Sequence, residues 1–204
     1  MQKRRVRVCA LVVLAATAGI GAPAHAFGKQ STKNLDDQLI VVEATPITHF
    51  ERAHPERKRF GRLEWRGGLV LKSPSTFFGG WSGVAIDTDG DGILAISDTG
   101  VWITARVTYD GPRPSAVADA RIGALRGADG KPLSRSRDRD SEGVVLLQGT
   151  LTQGEVLVSF ERHHRVVRYP VSSAGPGPAA ETLDLFPELR KLPDNKSLEA
   201  VCVV

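Results

Sequence analysis

Gly83-Val84-Ala85-Ile86-Asp87-Thr88-Asp89-Gly90-Asp91-Gly92-Ile93-Leu94-Ala95-Ile96-Ser97-Asp98 decides the reading of this chain. Two apolar runs of strand length flank a segment of Asp and Gly, the residues that accept the backbone angles of a tight turn. A third strand follows over residues 101–109. The pattern returns as Glu142-Gly143-Val144-Val145-Leu146, a turn, Val156-Leu157-Val158-Ser159-Phe160-Glu161, and a further strand over residues 166–171. It begins a third time at Glu199-Ala200-Val201-Cys202-Val203-Val204, with starts about 57 to 60 residues apart.

This rhythm predicts an all-β, β-propeller-like fold, incomplete, with about two clear blades and the start of a third. The rival reading is a β-sandwich or barrel with a chance echo. Helical periodicity with caps is scarce; Phe186-Pro187-Glu188-Leu189-Arg190 reads as one turn at most. A propeller usually closes with four or more blades. The third copy stops after one strand, so the expectation is a chain truncated at its C-terminus, with no partner after strand 199–204. Upstream, residues 39–45 alternate as a strand. Residues 49–62 are charged and read as a loop. Residues 63–71 read as strand material with a glycine break.

The first residues read as a secretory signal peptide with a signal helix. Lys3, Arg4, Arg5 and Arg7 form a basic start, residues 8–20 are apolar, and Ala24-His25-Ala26 offers the small-x-small cleavage pattern, with Ala26 last. The apolar run suits a leader and is too short to span a bilayer; an uncleaved anchor is the competing reading. Cleavage implies a periplasmic or secreted protein with no stable membrane span. The leader's four basic residues account for the whole formal charge of +4, so nothing points to nucleic acid. Cys9 leaves with the leader and Cys202 stays alone, which excludes an intramolecular disulfide. The expected organisation is a leader over 1–26, an N-terminal segment over 27–62 with a first strand and charged loop, and a partial propeller over 63–204.

Repeat alignment makes Ser82, Glu142 and Glu199 equivalent, and likewise Asp98 and Glu161. Equivalent positions on successive blades point to one place, so Asp98, Glu142, Glu161 and Glu199 are expected at one mouth. Clustered carboxylates repel unless a cation or a shared proton intervenes, and oxygen ligands of this kind suit Ca2+. The alternative is that each carboxylate caps a turn. Basic groups adjoin them in sequence: Arg135, Arg137 and Arg139 before Asp140, and Arg162, His163, His164 and Arg165 after Glu161. Arg forks and His suit an anionic ester or phosphoester; the alternative is a solvated loop. Asp87-Thr88-Asp89-Gly90-Asp91-Gly92, with Asp98 at the twelfth place, matches a calcium loop, but its flanks are strands and a hairpin turn is the better reading. A Ser82–His163–Asp98 triad has no support in the spacing.

Five ordered motifs carry a family resemblance. They are Gly80-Trp81-Ser82-Gly83-Val84-Ala85-Ile86-Asp87, Ala95-Ile96-Ser97-Asp98-Thr99-Gly100, Arg139-Asp140-Ser141-Glu142-Gly143, Ser159-Phe160-Glu161-Arg162 with His164-Arg165-Val166, and Asn195-Lys196-Ser197-Leu198-Glu199-Ala200. Over residues 63–204 the chain resembles the phytase-like domain family, also called "esterase-like activity of phytase". The resemblance implies an exported propeller that hydrolyses phosphomonoesters or carboxylic esters; the clustered carboxylates point to Ca2+ as the expected cofactor, and the basic groups beside them to a small anionic ester as substrate. Matched onto this sequence, it implies Glu142, Glu161 and Asp98 as catalytic groups and Asp98, Asp140, Glu142 and Glu199 as metal ligands. Arg139, Arg162, Arg165 and His164 are the implied substrate contacts. A non-catalytic propeller that binds a ligand or partner in the cell envelope is the alternative, and a poorly folding remnant is a third reading. The oligomeric state is open.

Overall fold

The computed structural model describes residues 6–7, 32, 35–194 and 197–203. Apart from Val6–Arg7, the expected leader and its expected Ala26 cleavage point lie outside them. The chain is all-β. Its strands are β1 (Val6–Arg7), β2 (Gln38–Leu39), β3 (Glu43–Ile47), β4 (Arg59–Phe60), β5 (Leu63–Glu64), β6 (Gly68–Lys72), β7 (Trp81–Ile86), β8 (Gly92–Ser97), β9 (Val101–Asp110), β10 (Arg113–Ala124), β11 (Ser141–Thr150), β12 (Gln153–Phe160), β13 (Arg165–Ser172), β14 (Gly175–Pro176), β15 (Glu181–Thr182) and β16 (Cys202–Val203). Short 3-10 turns occupy Ser136–Asp138 and Pro187–Lys191. No helix among the described residues is long and apolar enough to cross a membrane.

Two antiparallel meanders form the body. One runs β2-β10-β9-β8-β7; the other runs β11-β12-β13-β14, with β15 added beside β13. Strands β7 and β11 lie against each other, so the two sheets pack face to face as neighbouring blades. The run Ile93-Leu94-Ala95-Ile96 explains why β8 is an interior strand buried on both faces. Leu94 and Ile96 enter the interblade core with Trp102, Phe160, Val156, Val158 and Tyr169. Ala95 turns the other way, towards Ile103, Ile40, Phe78 and Trp81. A strand buried on both faces reads as a continuous apolar run rather than an alternating one. Trp102, Tyr169 and Phe160 are each fully buried, and such aromatics carry most of a core's apolar area. The Trp102 indole N–H donates to Ala124 O at 3.1 Å, so its one polar atom is satisfied.

Three expectations change in detail. The fourth strand of the first blade, β10, carries Pro114, Ala116, Ala118 and Asp119, which are poor strand formers, and the sequence did not signal it. Pairing with β9 overrides that propensity, with register breaks at Pro114/Ala116 and Ala118/Arg121. The stretch 49–62, expected as loop, holds β4, which pairs with β5 around Gly61 at φ 61°. Phe50 packs on Phe60 and Trp65 at 4.9 and 5.3 Å, an aromatic cluster masked in sequence by the charges around it. Within the expected strand 199–204 the described strand is Cys202–Val203, and it pairs antiparallel with β1, which falls inside the expected leader.

The two blades are fastened at both ends of the strand pair. Ser141 Oγ donates to Ser97 O at 2.6 Å, and the Leu151 N–H donates to Asp87 Oδ1 at 2.8 Å. Asp87 thus ties the first blade's hairpin turn to the second blade. Between these fastenings the backbones touch: a Cβ on Gly83 would lie 2.8 Å from Glu142 O and 3.0 Å from Val144 N. Gly83→Ala is therefore expected to force the blades apart. Overpacking of this kind costs about 1–3 kcal/mol, read as a lower urea midpoint at unchanged m-value. A variant as stable as the parent would show that the strands separate freely.

Candidate functional site

Asp140 and Glu142 flank Ser141 at the start of β11, and Glu161 directly follows β12. Alternation along a strand sends residues i and i+2 to one face. Asp140 and Glu142 therefore share a side while Ser141 turns to the first blade. The pairing of Ser141 with Phe160, continued by the Glu161 N–H donating to Asp140 O at 2.9 Å, brings Glu161 alongside. A register break between Ser141 and Gly143 re-aims this end of the strand. One carboxylate oxygen from each of Asp140, Glu142 and Glu161 lies within 4.8 Å of the others.

Glu199 joins through the third repeat. It interacts with Glu161 through a hydrogen bond and through charge, and it also feels Asp140. Two carboxyl groups can share a hydrogen bond only with a proton on one of them. Burial, followed by the Glu161 charge, pushes Glu199 above the ordinary carboxylate range. Glu142 is pushed up to about 7 by burial first, then by the charges of Asp140, Glu199 and Glu161, against a hydrogen bond from Ser82 that lowers it. The repeat-equivalent positions Ser82, Glu142 and Glu199 are thus brought together.

Arg162 faces the cluster. Its backbone is left-handed at φ 53°, and its N–H donates to Asp194 O at 3.0 Å. Its Nε lies 2.5 Å from Asp140 Oδ2, an ion-pair distance. The angle makes no hydrogen bond, so that oxygen, sealed from water, has no hydrogen-bond donor. Asp140 is only 7% exposed. A buried carboxylate oxygen without a donor, beside two further carboxylates, fits a hard cation. Two oxygens each about 2.3–2.6 Å from one Ca2+ stand at most about 5 Å apart, which the spacing of the three satisfies.

Beside the cluster opens a cleft of about 530 Å³ lined by Arg137, Arg162, His163, His164, Arg165 and Asp194, with Leu183 and Leu185 on its apolar side. Arg137 pairs with Asp194 at 3.0 Å, and His163 Nδ1 lies 2.9 Å from Asp138 Oδ1. Arg165 stacks on Phe160 at 3.8 Å and donates to Asp138 O and His163 O. Burial lowers its pKa. His164 Nε2 lies 2.9 Å from Leu192 O, and Nδ1 lies 2.9 Å from Ser197 Oγ. A carbonyl only accepts, so Nε2 carries a proton and donates to Leu192 O, while Nδ1 and the Ser197 hydroxyl share a hydrogen bond.

Of the residues singled out in sequence, Asp140, Glu142, Glu161 and Glu199 meet, and Arg162, Arg165 and His164 line the adjoining cleft. Asp98 is exposed in the turn after β8 and is not part of the three-carboxylate group. Arg139, 8% exposed, is outside the lining of the cleft and donates to Thr32 Oγ1 at 3.2 Å. Ser197 was missed as a site residue. It is 5% exposed, its N–H donates to Glu161 Oε1 at 2.7 Å, and its hydroxyl holds His164. Its place two residues before Glu199 was the available signal.

A pair of propeller-like blades with a carboxylate cluster beside a cationic cleft is the class this geometry defines. The chain belongs to the phytase-like family, described as esterase-like activity of phytase, whose model matches residues 76–204. No curated protein and no solved structure matches it.

The raised Glu142 pKa has a measurable consequence. The folded state holds this proton more tightly than the unfolded chain, so the stability it confers is full below about 4.5 and is lost as pH rises through about 7. In chelator, Glu142→Gln is expected to melt higher than wild type at pH 8, with the difference vanishing towards pH 4. Equal melting temperatures at pH 8 would remove the charge repulsion from the account.

Proposed function

We propose that this chain is an exported esterase-like hydrolase acting on phosphomonoesters or carboxylic esters, with Ca2+ held by Asp140, Glu142 and Glu161. One observation carries the reading: a group of three carboxylates stands beside an Arg- and His-lined cleft, with Arg162 between them. The family to which the chain belongs supports the reaction class.

A bound divalent cation supplies polarisation of a phosphoryl or acyl oxygen and a lowered pKa for water. The protein's own groups do the rest. The Arg162 guanidinium is placed to orient the anionic part of an ester in the cleft, with His164 and Arg165 shaping its floor. Glu142 would hold the cation together with Asp140 and Glu161, which fixes its charge next to Arg162 at the edge of the cleft. Ser197 holds Glu161 and His164 in position. Export rests on the basic start, apolar run and Ala24-His25-Ala26 of the sequence.

Purified protein, expected to begin at Phe27 after export, should hydrolyse p-nitrophenyl phosphate or p-nitrophenyl acetate with Ca2+ and lose that activity in chelator. Glu142→Gln should cut turnover at limiting Ca2+ by about 10-fold or more with an unchanged circular dichroism spectrum. Turnover indifferent to both changes would reject the hydrolase reading. A folded, inert protein that binds a ligand would instead favour a binding module.

A further inference from the structure

The cationic groups of the cleft are not equally committed. Arg137 is paired with Asp194, His163 with Asp138, and Arg165 with two backbone carbonyls. Both His164 nitrogens are engaged. Arg162 differs: among the described residues its guanidinium donates no hydrogen bond, although Nε stands 2.5 Å from Asp140 Oδ2. It balances the charge of the cluster without being bonded to it. It also lines the cleft, with about a third of its side chain exposed. Its left-handed backbone, tied to Asp194 O, sets the side chain between the two sites.

We propose that Arg162 is a two-position switch that couples the carboxylate group to the cleft. Without a divalent cation, the guanidinium serves as the counter-charge of Asp140. A cation among Asp140, Glu142 and Glu161 takes over that role and repels the guanidinium, which turns into the cleft and offers its fork to the oxygens of a phosphate or carboxylate. The cleft is thereby an anion site whose affinity is set by occupancy of the carboxylates, and binding is ordered, cation before anion. The inference rests on the reading of the carboxylates as a cation site and adds the link between that site and substrate. Linkage makes the effect reciprocal: the anion must tighten the cation by the same factor.

Isothermal titration of the whole purified protein with inorganic phosphate, in chelator and in saturating Ca2+, measures the coupling. The expected result is phosphate binding at least about fivefold tighter with Ca2+, within the usual range of coupling between sites, and Ca2+ binding tightened equally by phosphate. In Arg162→Gln the two affinities should become independent within twofold, while Ca2+ binds at least as tightly as in wild type, because its competitor is gone. Coupling that survives in Arg162→Gln would assign the effect to the general field of the cation and overturn the switch. A wild-type protein that binds Ca2+ but shows no coupling overturns the switch and leaves the cation site standing. No Ca2+ binding at all overturns both. A readout independent of any variant is the Nε–H resonance of Arg162 in wild type, which must shift when Ca2+ is added without phosphate; an unmoved resonance overturns the proposal.

Discussion

The structure depends on backbone contact between successive inner strands. Gly83 in β7 leaves no room for a Cβ against Glu142 O, Gly143 Cα and Val144 N. One step further round, a Cβ on Gly143 would meet Ala200 Cα at 3.1 Å and Val201 N at 3.0 Å. Three copies of the repeat therefore stack at the same position. Because each is preceded by a polar residue, Ser82, Glu142 and Glu199 are delivered to one place. Missing side chains at two positions let the three repeat starts, two of them acidic, approach, and the site follows from that approach.

Bringing carboxylates together is unfavourable unless their charge is balanced. The chain answers with a proton on Glu142 up to about pH 7 and with Arg162 against Asp140. Both are replaceable: a proton leaves as pH rises, and a cation can take over the counter-charge that the guanidinium supplies. Arg139 and Arg165, by contrast, are fixed. The first is buried and donates to Thr32, and the second is stacked on Phe160. The same residue type thus serves as scaffold at two positions and as the counter-charge of a carboxylate at a third. Burial and bonding, rather than identity, separate the roles.

Much of this was legible in the sequence. The Asp/Gly turn between apolar runs gave β7 and β8, and the repeat of that pattern gave the second blade and the equivalence of Glu142 with Glu199. Other features lie beyond local pattern. β10 forms from poor strand residues because a neighbour pairs with it, and β4 is hidden among charges. Arg139 looked like a substrate contact because sequence gives its neighbour Asp140 but not its burial. Asp98 aligned with Glu161 by repeat, yet it stands in an exposed turn outside the three-carboxylate group. Ser197 stood in a matched motif two residues before Glu199, but its contacts with Glu161 and His164 join residues distant in the chain, which sequence does not show.

The central claim is that Asp140, Glu142 and Glu161 form a cation site. Crystals grown with Mn2+, whose anomalous scattering marks its position in place of Ca2+, test it directly. The account predicts an anomalous peak within about 2.1–2.6 Å of an oxygen from each of the three carboxylates. Carboxylates without a peak, or a peak confined to the Asp87-Thr88-Asp89-Gly90-Asp91-Gly92 turn, would contradict it.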